Sequence, residues 1–278
     1  ASSITALSGT AYEINSVYTS SGISGLGNEN LIVNNSSIEA SLLNSLDTNT
    51  TGTIDASSIT ALSGTTYEIN SVYTSSGISG LGNETITITD ASITVAQANV
   101  LSAFTTGIVT ANISDGDTAT LDGLIETGNA YTVTVTDASV AASALNTLNA
   151  KTTGVVTVQA TTITGKAADI NTVYAAGTAG TINGLGNEDL MVNNSSIEAS
   201  LLNSLDINTT GTIDASSITA LSGTTYEINS VYTSSGISGL GNETITITDA
   251  VTVTQANAVN ALTTCLLYTS DAADECDS

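Results

Sequence analysis

Apolar and polar residues alternate with two different periods along this chain. Residues 85–89 and 132–136 alternate Ile or Val with Thr, which predicts short strands with one buried face. A few residues later the period lengthens, and in residues 37–46 and 139–148 the apolar positions fall on one helical face. Each unit is therefore predicted to be a strand, a short helix and a loop.

Polar residues mark where the predicted helices begin. Ser37 and Ser139 stand at the start of the helical periods and are predicted N-caps. Thr65 followed by Glu68 is typical of a capping box at the start of a second helix type. Residues 58–64, just before that box, are predicted to form a turn.

Long internal repeats organise the sequence. Residues 1–29 recur at 56–84 with one change, and residues 33–91 recur at 192–250 with one change. Gly-Leu-Gly-Asn-Glu occurs four times, at residues 25–29, 80–84, 184–188 and 239–243. Self-similarity of this kind is typical of proteins built from stacked units.

The repeats predict an α/β solenoid over residues 1–264. Strands joined through helices run parallel and their crossovers are right-handed, so we expect a right-handed stack of strand–short-helix coils with one parallel β-sheet. An all-β right-handed β-helix is the alternative. The predicted units start at about residues 30, 53, 85, 108, 131, 155, 189, 212 and 244, and those at 53, 155 and 212 are longer than the rest.

The last residues do not match the repeats. Residues 265–278 resemble the translated read-through of a sequencing adapter, and we expect an artefactual, disordered tail there. Cys265 and Cys276 both lie in this segment, so the repeats offer no disulfide framework. Residues 1–5 start in the middle of a repeat, and the N-terminus of the natural protein is expected to lie upstream.

Charge and composition narrow the function. The chain has 26 acidic residues against Lys151 and Lys166, a formal charge of −24. Such a surface repels phosphate backbones and anionic lipids, so nucleic acid and membrane insertion are not expected. His, Arg and Trp are absent, which removes the usual general base and most sugar-holding side chains. We therefore expect no catalytic residues and no cofactor, except that Ca²⁺ stays possible.

Acidic residues recur at the hinges that follow the strands. Such carboxylates cap helices and strand-end amides, or alternatively bind Ca²⁺, which prefers several oxygen ligands. The densest cluster is Asp115, Asp117 and Asp122, a candidate calcium site that lacks the full EF-hand pattern. The hinge residues are Asp55, Asp90, Asp137, Asp214 and Asp249, with Asn35 and Asn194 at equivalent turns.

Two further motifs have competing interpretations. Outward threonines from successive strands are either ordinary solvated strand positions or an array that binds a repetitive surface such as ice or polysaccharide. That array consists of Thr53, Thr87, Thr134, Thr157, Thr212 and Thr246. The Gly-Leu-Gly-Asn-Glu motif is predicted to be a turn, because its Glu would repel a bound phosphate and no Lys follows.

Residues 134–148, with residues 167–174, resemble the tandem repeats of very large adhesin-like proteins of marine cyanobacteria and other aquatic bacteria. The resemblance covers residues 1–264. It implies a structural or adhesive segment of a surface or secreted bacterial protein, with neighbouring repeats as its main partner and an extracellular surface or glycan as a further one. It defines no ligand residues that could be transferred to this chain.

Overall fold

The computed structural model describes residues 4–264 and the backbone of residues 267–269. Contacts divide the chain into two units, Ala1–Val133 with Lys151–Gly154 and Thr134–Ala150 with Val155–Ser278. The predicted tail lies outside the described residues, apart from the backbone of Leu267–Thr269.

Short strands and short helices alternate throughout the described residues. Up to residue 135 the elements are β1 (Ala6–Gly9), α1 (Ala11–Tyr18), β2 (Asn30–Val33), β3 (Ser37–Glu39), α2 (Ala40–Asn49), β4 (Ile54–Asp55), β5 (Ala61–Gly64), α3 (Thr66–Thr74), β6 (Ile78–Ser79), β7 (Thr85–Ile88), α4 (Val95–Ser102), β8 (Val109–Asn112), α5 (Thr118–Leu121) and β9 (Ala130–Val135).

The second half continues in the same way. Its elements are β10 (Ser139–Ala141), α6 (Ala142–Lys151), β11 (Val156–Val158), β12 (Thr162–Gly165), α7 (Ala167–Thr178), β13 (Ile182–Asn183), β14 (Asp189–Val192), β15 (Ser196–Glu198), α8 (Ala199–Asn208), β16 (Ile213–Asp214), β17 (Ala220–Gly223), α9 (Thr225–Thr233), β18 (Ile237–Ser238), β19 (Thr244–Ile247), α10 (Val253–Asn260) and β20 (Leu267–Thr269).

Every strand pairing in the first unit is parallel. One stack runs β1, β2, β4, β6, and a second contains β3, β5, β7, β8 and β9 in that order. Paired residues lie 20 to 24 positions apart in sequence, as in Thr110 with Ala130 and Leu62 with Ile86. We call each such stretch, from one strand to the strand beside it, a coil.

The second unit repeats this arrangement. One stack runs β10, β12, β14, β16, β18, another runs β15, β17, β19, β20, and β11 pairs with β13. All of these pairs are parallel, and partners lie 22 to 27 positions apart, from Ile245 with Leu267 to Thr162 with Asp189. Parallel strands joined through short helices are therefore the architecture of both units.

A strand begins within one residue of every predicted unit start, but the longer units contain more structure than expected. Residues 58–64 are not simply a turn, because Ala61–Gly64 is β5, paired on one side with β3 and on the other with β7. The expectation of one sheet is likewise wrong, since each unit has more than one strand stack. Most coils cross two stacks, and the second strand is too short to show a period of its own.

The helices α2 and α6 also begin a few residues later than the sequence predicts. Ser37 and Ser139 do not cap helices but begin β3 and β10. Ile38 pairs with Leu62 in the neighbouring strand, where it is 5% exposed. Ile38, which the sequence pattern places first on a helical face, is therefore a strand residue, and α2 begins at Ala40.

The predicted capping box of α3 is confirmed. Thr65 Oγ1 accepts a hydrogen bond from Glu68 N, and the Glu68 carboxylate accepts one from Thr65 N at 2.8 Å. The same reciprocal arrangement begins α1, α4, α9 and α10. These boxes stabilise helices of only eight or nine residues, which are marginal in isolation.

The core is built from stacked aliphatic side chains. Along one strand stack, Ile38, Leu62, Ile86 and Val109 lie in register and are at most 5% exposed. Each coil adds one aliphatic layer to this column, so burial depends on the coil above and the coil below.

Thr-Thr-Gly turns bring successive coils into close contact. Thr105 Oγ1 donates to Glu84 O in the preceding coil at 2.6 Å and accepts from Gly107 N at 2.9 Å. Thr106 N donates to Gly82 O at 2.9 Å. A Cβ on Gly107 would lie 2.3 Å from Glu84 O. The same contacts recur at residues 50–52, 152–154 and 209–211.

We expect Gly107→Ala to lower the free energy of unfolding by at least about 2 kcal/mol, because the new methyl group overlaps a backbone carbonyl that cannot rotate away. Urea denaturation followed by circular dichroism measures this. The matched control is Gly22→Ala, whose Cβ would meet only Ser20 Oγ at 3.9 Å, and its effect should stay within about 0.5 kcal/mol. Equal effects of the two changes would contradict the close-approach argument.

Candidate functional site

The most unusual polar groups in the structure are four buried glutamates. Each ends a Gly-Leu-Gly-Asn-Glu segment and directly precedes a strand, and each is 0% exposed. They are Glu29, Glu84, Glu188 and Glu243. A buried carboxylate is costly unless it is hydrogen-bonded, so its partners define what the motif does.

Each glutamate is held by its own turn and by the end of the preceding helix. Glu29 accepts hydrogen bonds from Gly27 N at 2.9 Å and from the Tyr18 hydroxyl at 2.8 Å. Gly25 and Gly27 have φ of 84° and 129°, which side-chain-bearing residues rarely adopt, and this conformation aims the Gly27 N–H at the carboxylate. The other pairs are Tyr73 with Glu84, Tyr174 with Glu188 and Tyr232 with Glu243.

These contacts connect three elements. Tyr18 is the last residue of α1, Glu29 precedes β2, and the Glu29 carbonyl accepts from Thr50 Oγ1 of the next coil at 2.7 Å. Each motif therefore connects the preceding helix, the start of a strand and the following coil at one buried glutamate.

Burial and hydrogen bonding act on the acid–base properties of the pair. Burial raises the pKa of Glu29. The hydrogen bonds donated by the Gly27 N–H and the Tyr18 hydroxyl lower it, and together the hydrogen bonds outweigh burial, so the pKa is below its usual value. Burial and the hydrogen bond to Glu29 raise the pKa of Tyr18 to about 12. The pair is therefore held as carboxylate and neutral phenol.

The copy at Glu188 differs from the others. Tyr174 and Glu188 are 14 positions apart, against 11 in the other three pairs. A cavity of about 340 Å³ lies beside Tyr174, and its lining also includes Asn183, Gly186 and Asn208. Among the described residues, Glu188 Oε1 has no hydrogen-bond partner.

An aromatic contact is present at one of the equivalent positions. The ring of Phe104 stacks on Tyr73 with a centroid distance of 4.7 Å. Phe104 directly precedes Thr105, which bonds the Glu84 carbonyl, and Asn208 holds the same place before Thr209. At the cavity, the smaller polar side chain of Asn208 therefore occupies the position at which Phe104 stacks on Tyr73 in the Glu84 copy.

The acidic hinges act as helix caps across coils. Asp90 Oδ2 accepts from Thr66 N at 2.6 Å and Asp249 Oδ1 from Thr225 N at 2.8 Å, where each threonine is the first residue of a helix 24 positions earlier. The capping interpretation is confirmed for these residues, with the cap supplied by the next coil. Asn35 and Asn194 cap α1 and α7 in the same way, and Asp55 and Asp214 accept from Ser57 N and Ser216 N.

The candidate calcium ligands have separate roles in the structure. Asp115 accepts from Val95 N at 2.7 Å, Asp117 caps α5 by accepting from Thr120 N, and Asp122 forms an ion pair with Lys151 at 2.8 Å. Across residues 4–264, no group of three His, Cys, Asp or Glu side chains is arranged to hold a metal ion. Calcium binding at these residues stays a prediction.

The candidate threonines do not form one column. Thr87 lies beside Ser63 and Thr110, and Thr246 lies beside Ser222. Thr53 and Thr212 instead bond the side chains of Asn30 and Asp189, and Thr157 pairs with Asn183, while Thr134 lies in β9. All six are exposed or half-buried, but they are distributed over several strand stacks. Surface binding by this set stays a prediction.

The Gly-Leu-Gly-Asn-Glu pattern predicts a turn, but it does not by itself predict that the glutamate is buried. A signal was present, because every copy has a Tyr in the preceding helix and a strand directly after the Glu. Burial of an acidic residue runs against its ordinary preference for the surface, and only the fold shows it.

Comparison with known proteins found no matching family model, no matching curated protein and no matching solved structure. Within the described residues, none of the helices has the length and apolar character needed to cross a bilayer. The site must therefore be interpreted from its own geometry.

We expect Tyr174→Phe to destabilise the protein by about 1–3 kcal/mol, because it removes a hydroxyl donor from a fully buried carboxylate. The free energy of unfolding in urea measures this at neutral pH. Tyr226→Phe is the control, since Tyr226 is 83% exposed, and it should change stability by less than about 0.5 kcal/mol. An unchanged free energy of unfolding in Tyr174→Phe would show that Glu188 does not need the tyrosine hydroxyl.

The lowered pKa of Glu29 predicts a pH dependence of its own. The carboxylate stabilises the fold above its unfolded-state pKa, and this contribution is lost as the pH falls through the lower folded-state pKa. Glu29→Gln should therefore be clearly less stable than the unchanged chain at pH 7, and the difference should shrink below about pH 4. Urea denaturation at both pH values measures it, and a difference that grows in acid would contradict the assignment.

Proposed function

We propose that this chain is a non-catalytic structural or adhesive repeat segment of a large bacterial surface or secreted protein. Its coils would form an α/β solenoid, a right-handed stack whose main partners are neighbouring repeats of the same protein. The location that fits this role is the cell surface or the extracellular space.

One observation carries the proposal: polar side chains link each coil to the next at nearly constant sequence offsets. Thr51 and Thr106 donate to glycine carbonyls 24 positions earlier, and Asp90 caps a helix 24 positions earlier. Asn44 and Asn203 donate to helix carbonyls 24 positions later. Repeated nearest-neighbour contacts are how solenoids gain stability.

Charge and side-chain chemistry agree with this role. A net charge of −24 keeps a long repetitive surface soluble and discourages association with copies of itself. Asp90 and Asp249, two of the hinge carboxylates that suggested Ca²⁺ binding, cap helices of neighbouring coils. Binding of Ca²⁺ at the hinges, or of ice or polysaccharide on the threonine-bearing strands, is the alternative function.

A lengthened chain tests the proposal. A second copy of residues 30–84 is inserted after Glu84, so that both new junctions follow Gly-Leu-Gly-Asn-Glu, as at residues 25–29. These residues contain two coils, so the maximum dimension from small-angle X-ray scattering should rise by about 10 Å, at about 4.8 Å per strand layer. Unfolding should stay cooperative, and the urea m-value should rise by about a fifth.

The control is a Gly/Ser insert of equal length at the same position, which adds residues but no buried surface and leaves the m-value nearly unchanged. A lengthened chain that behaves like this control would overturn the solenoid proposal. Melting with and without millimolar Ca²⁺ completes the test, since a structural segment should melt at the same temperature in both. A large rise with Ca²⁺ would favour the ligand-binding alternative instead.

A further inference from the structure

We propose that Asn183 is a site of spontaneous covalent modification, at which the side-chain amide is lost as ammonia and the link to Gly184 is rearranged to isoaspartate. An asparagine reacts in this way when the backbone nitrogen of the next residue attacks its side chain. The rate depends on the size of that next residue and on how freely the backbone moves, and both are favourable at residue 183. The modification does not depend on the role proposed above.

The reactive dipeptide occurs once in the chain. Asn183 is the one asparagine that is followed by glycine, and glycine has no side chain to shield its N–H or to restrict its backbone. Residue 183 directly precedes a Gly-Leu-Gly-Asn-Glu segment, and the other three copies of that segment follow Ser24, Ser79 and Ser238. Three equivalent turns of the same chain therefore serve as unreactive comparisons.

The structure leaves both reacting groups free. Asn183 is exposed, and its side chain makes no hydrogen bond among the residues that the structure describes. At the equivalent position, Ser79 Oγ donates to Ile54 O at 3.2 Å. Within the same described part of the chain, the Gly184 N–H donates no hydrogen bond either. Neither the attacking nitrogen nor the amide that it attacks is thus held away from the other.

The strand that contains Asn183 can open at low cost. β13 has only two residues, lies at the end of its sheet and pairs with β11 on one side. The attack requires Asn183 to leave its extended conformation, so this strand end must open first. Short end segments open locally, whereas core strands open only with global unfolding. The cavity of about 340 Å³ that Asn183 lines beside Tyr174 gives the side chain room to turn.

The reaction consumes only water. Hydroxide removes the proton of the Gly184 nitrogen, which bonds to Asn183 Cγ. The Cγ–Nδ2 bond then breaks, and ammonia leaves with a proton from water, so that a five-membered succinimide ring remains. Water opens this ring in one of two ways. Cleavage at Cγ gives aspartate, and cleavage at the main-chain carbonyl carbon gives isoaspartate, in which the main chain runs through Cγ. Both products carry one new carboxylate.

Isoaspartate does not fit into this coil. It lengthens the main chain by one atom just ahead of Gly184, which has a φ of 84° and packs against β11. A Cβ on Gly184 would lie 2.2 Å from Val158 O, so there is no space for an added atom. We expect the longer main chain to displace β13 from β11 and to expose Ile182, which is 1% exposed in the unmodified coil.

The experiment incubates the folded full chain in neutral and in mildly alkaline buffer. A protease that cuts after acidic residues then releases the peptide that follows Asp169 and ends at Glu188. We expect the mass increase of an amide-to-acid exchange at Asn183, with isoaspartate identified by electron-transfer fragmentation, and a rate that rises with pH because the attacking nitrogen must lose its proton. Asn183 should react at least about tenfold faster than Asn203, which precedes a serine, a barrier difference of about 1.4 kcal/mol.

Two variants separate the steps. Asn183→Ser reproduces the residue of the other three turns and should abolish the reaction while the chain stays folded. Asn183→Asp introduces the new charge on a main chain of normal length. Amide hydrogen exchange at residues 182–186 should be faster in the incubated chain than in fresh protein, and fresh Asn183→Asp should resemble fresh unchanged protein.

Two results would overturn the proposal: a rate at Asn183 no greater than that at Asn203, or a rate in the folded chain more than about a hundredfold below the rate in urea, which would show that the fold blocks the attack. A rate within that hundredfold supports it. Unchanged amide exchange at residues 182–186 after conversion to isoaspartate would overturn the displacement of β13.

Discussion

Close backbone contact between successive coils is the constraint on which the rest of the structure depends. At Gly52, Gly107, Gly154 and Gly211 a Cβ would lie 2.2 to 2.3 Å from a carbonyl oxygen of the preceding coil. The threonine before each turn bonds that same carbonyl, as Thr105 bonds Glu84 O. Once the coils are this close, the parallel strands come into register and the aliphatic residues form continuous columns.

The buried glutamates follow from the same requirement. The segment between a helix and the next strand is largely exposed, but the glutamate that ends it is buried and needs hydrogen-bond partners. The Glu29 carboxylate accepts hydrogen bonds from the Gly27 N–H and the Tyr18 hydroxyl, which take the place of solvent. The acidic hinges do the same for helix N-termini, because Asp90 of one coil accepts the first N–H of the helix in the preceding coil. Many of the chain's carboxylates therefore accept hydrogen bonds that stabilise the fold.

Sharing of groups between neighbouring coils also explains why identical segments of sequence differ in burial. The cap, the carbonyl acceptor and the apolar cover of a given coil all belong to another coil. Leu7 and Leu62 occupy equivalent positions of the repeat, but Leu62 is buried and Leu7 is half-exposed.

The sequence by itself determined the repeats, which are visible by comparing its segments, the parallel strand–helix architecture, and the capping box at Thr65 and Glu68. The last two depend on local periodicity or on residues three or four apart. It did not reveal β5, β3 or the buried glutamates. Residues 61–64 are too short and too small to show a strand period, and they become a strand because β3 and β7 pair with them on both sides. Glu29 has the composition of a surface residue and is buried only because Tyr18, Gly27 and the next coil surround it. Strand pairing 24 positions apart decided β3 and β5, and contacts with Tyr18, 11 positions earlier, and with the next coil decided the burial of Glu29.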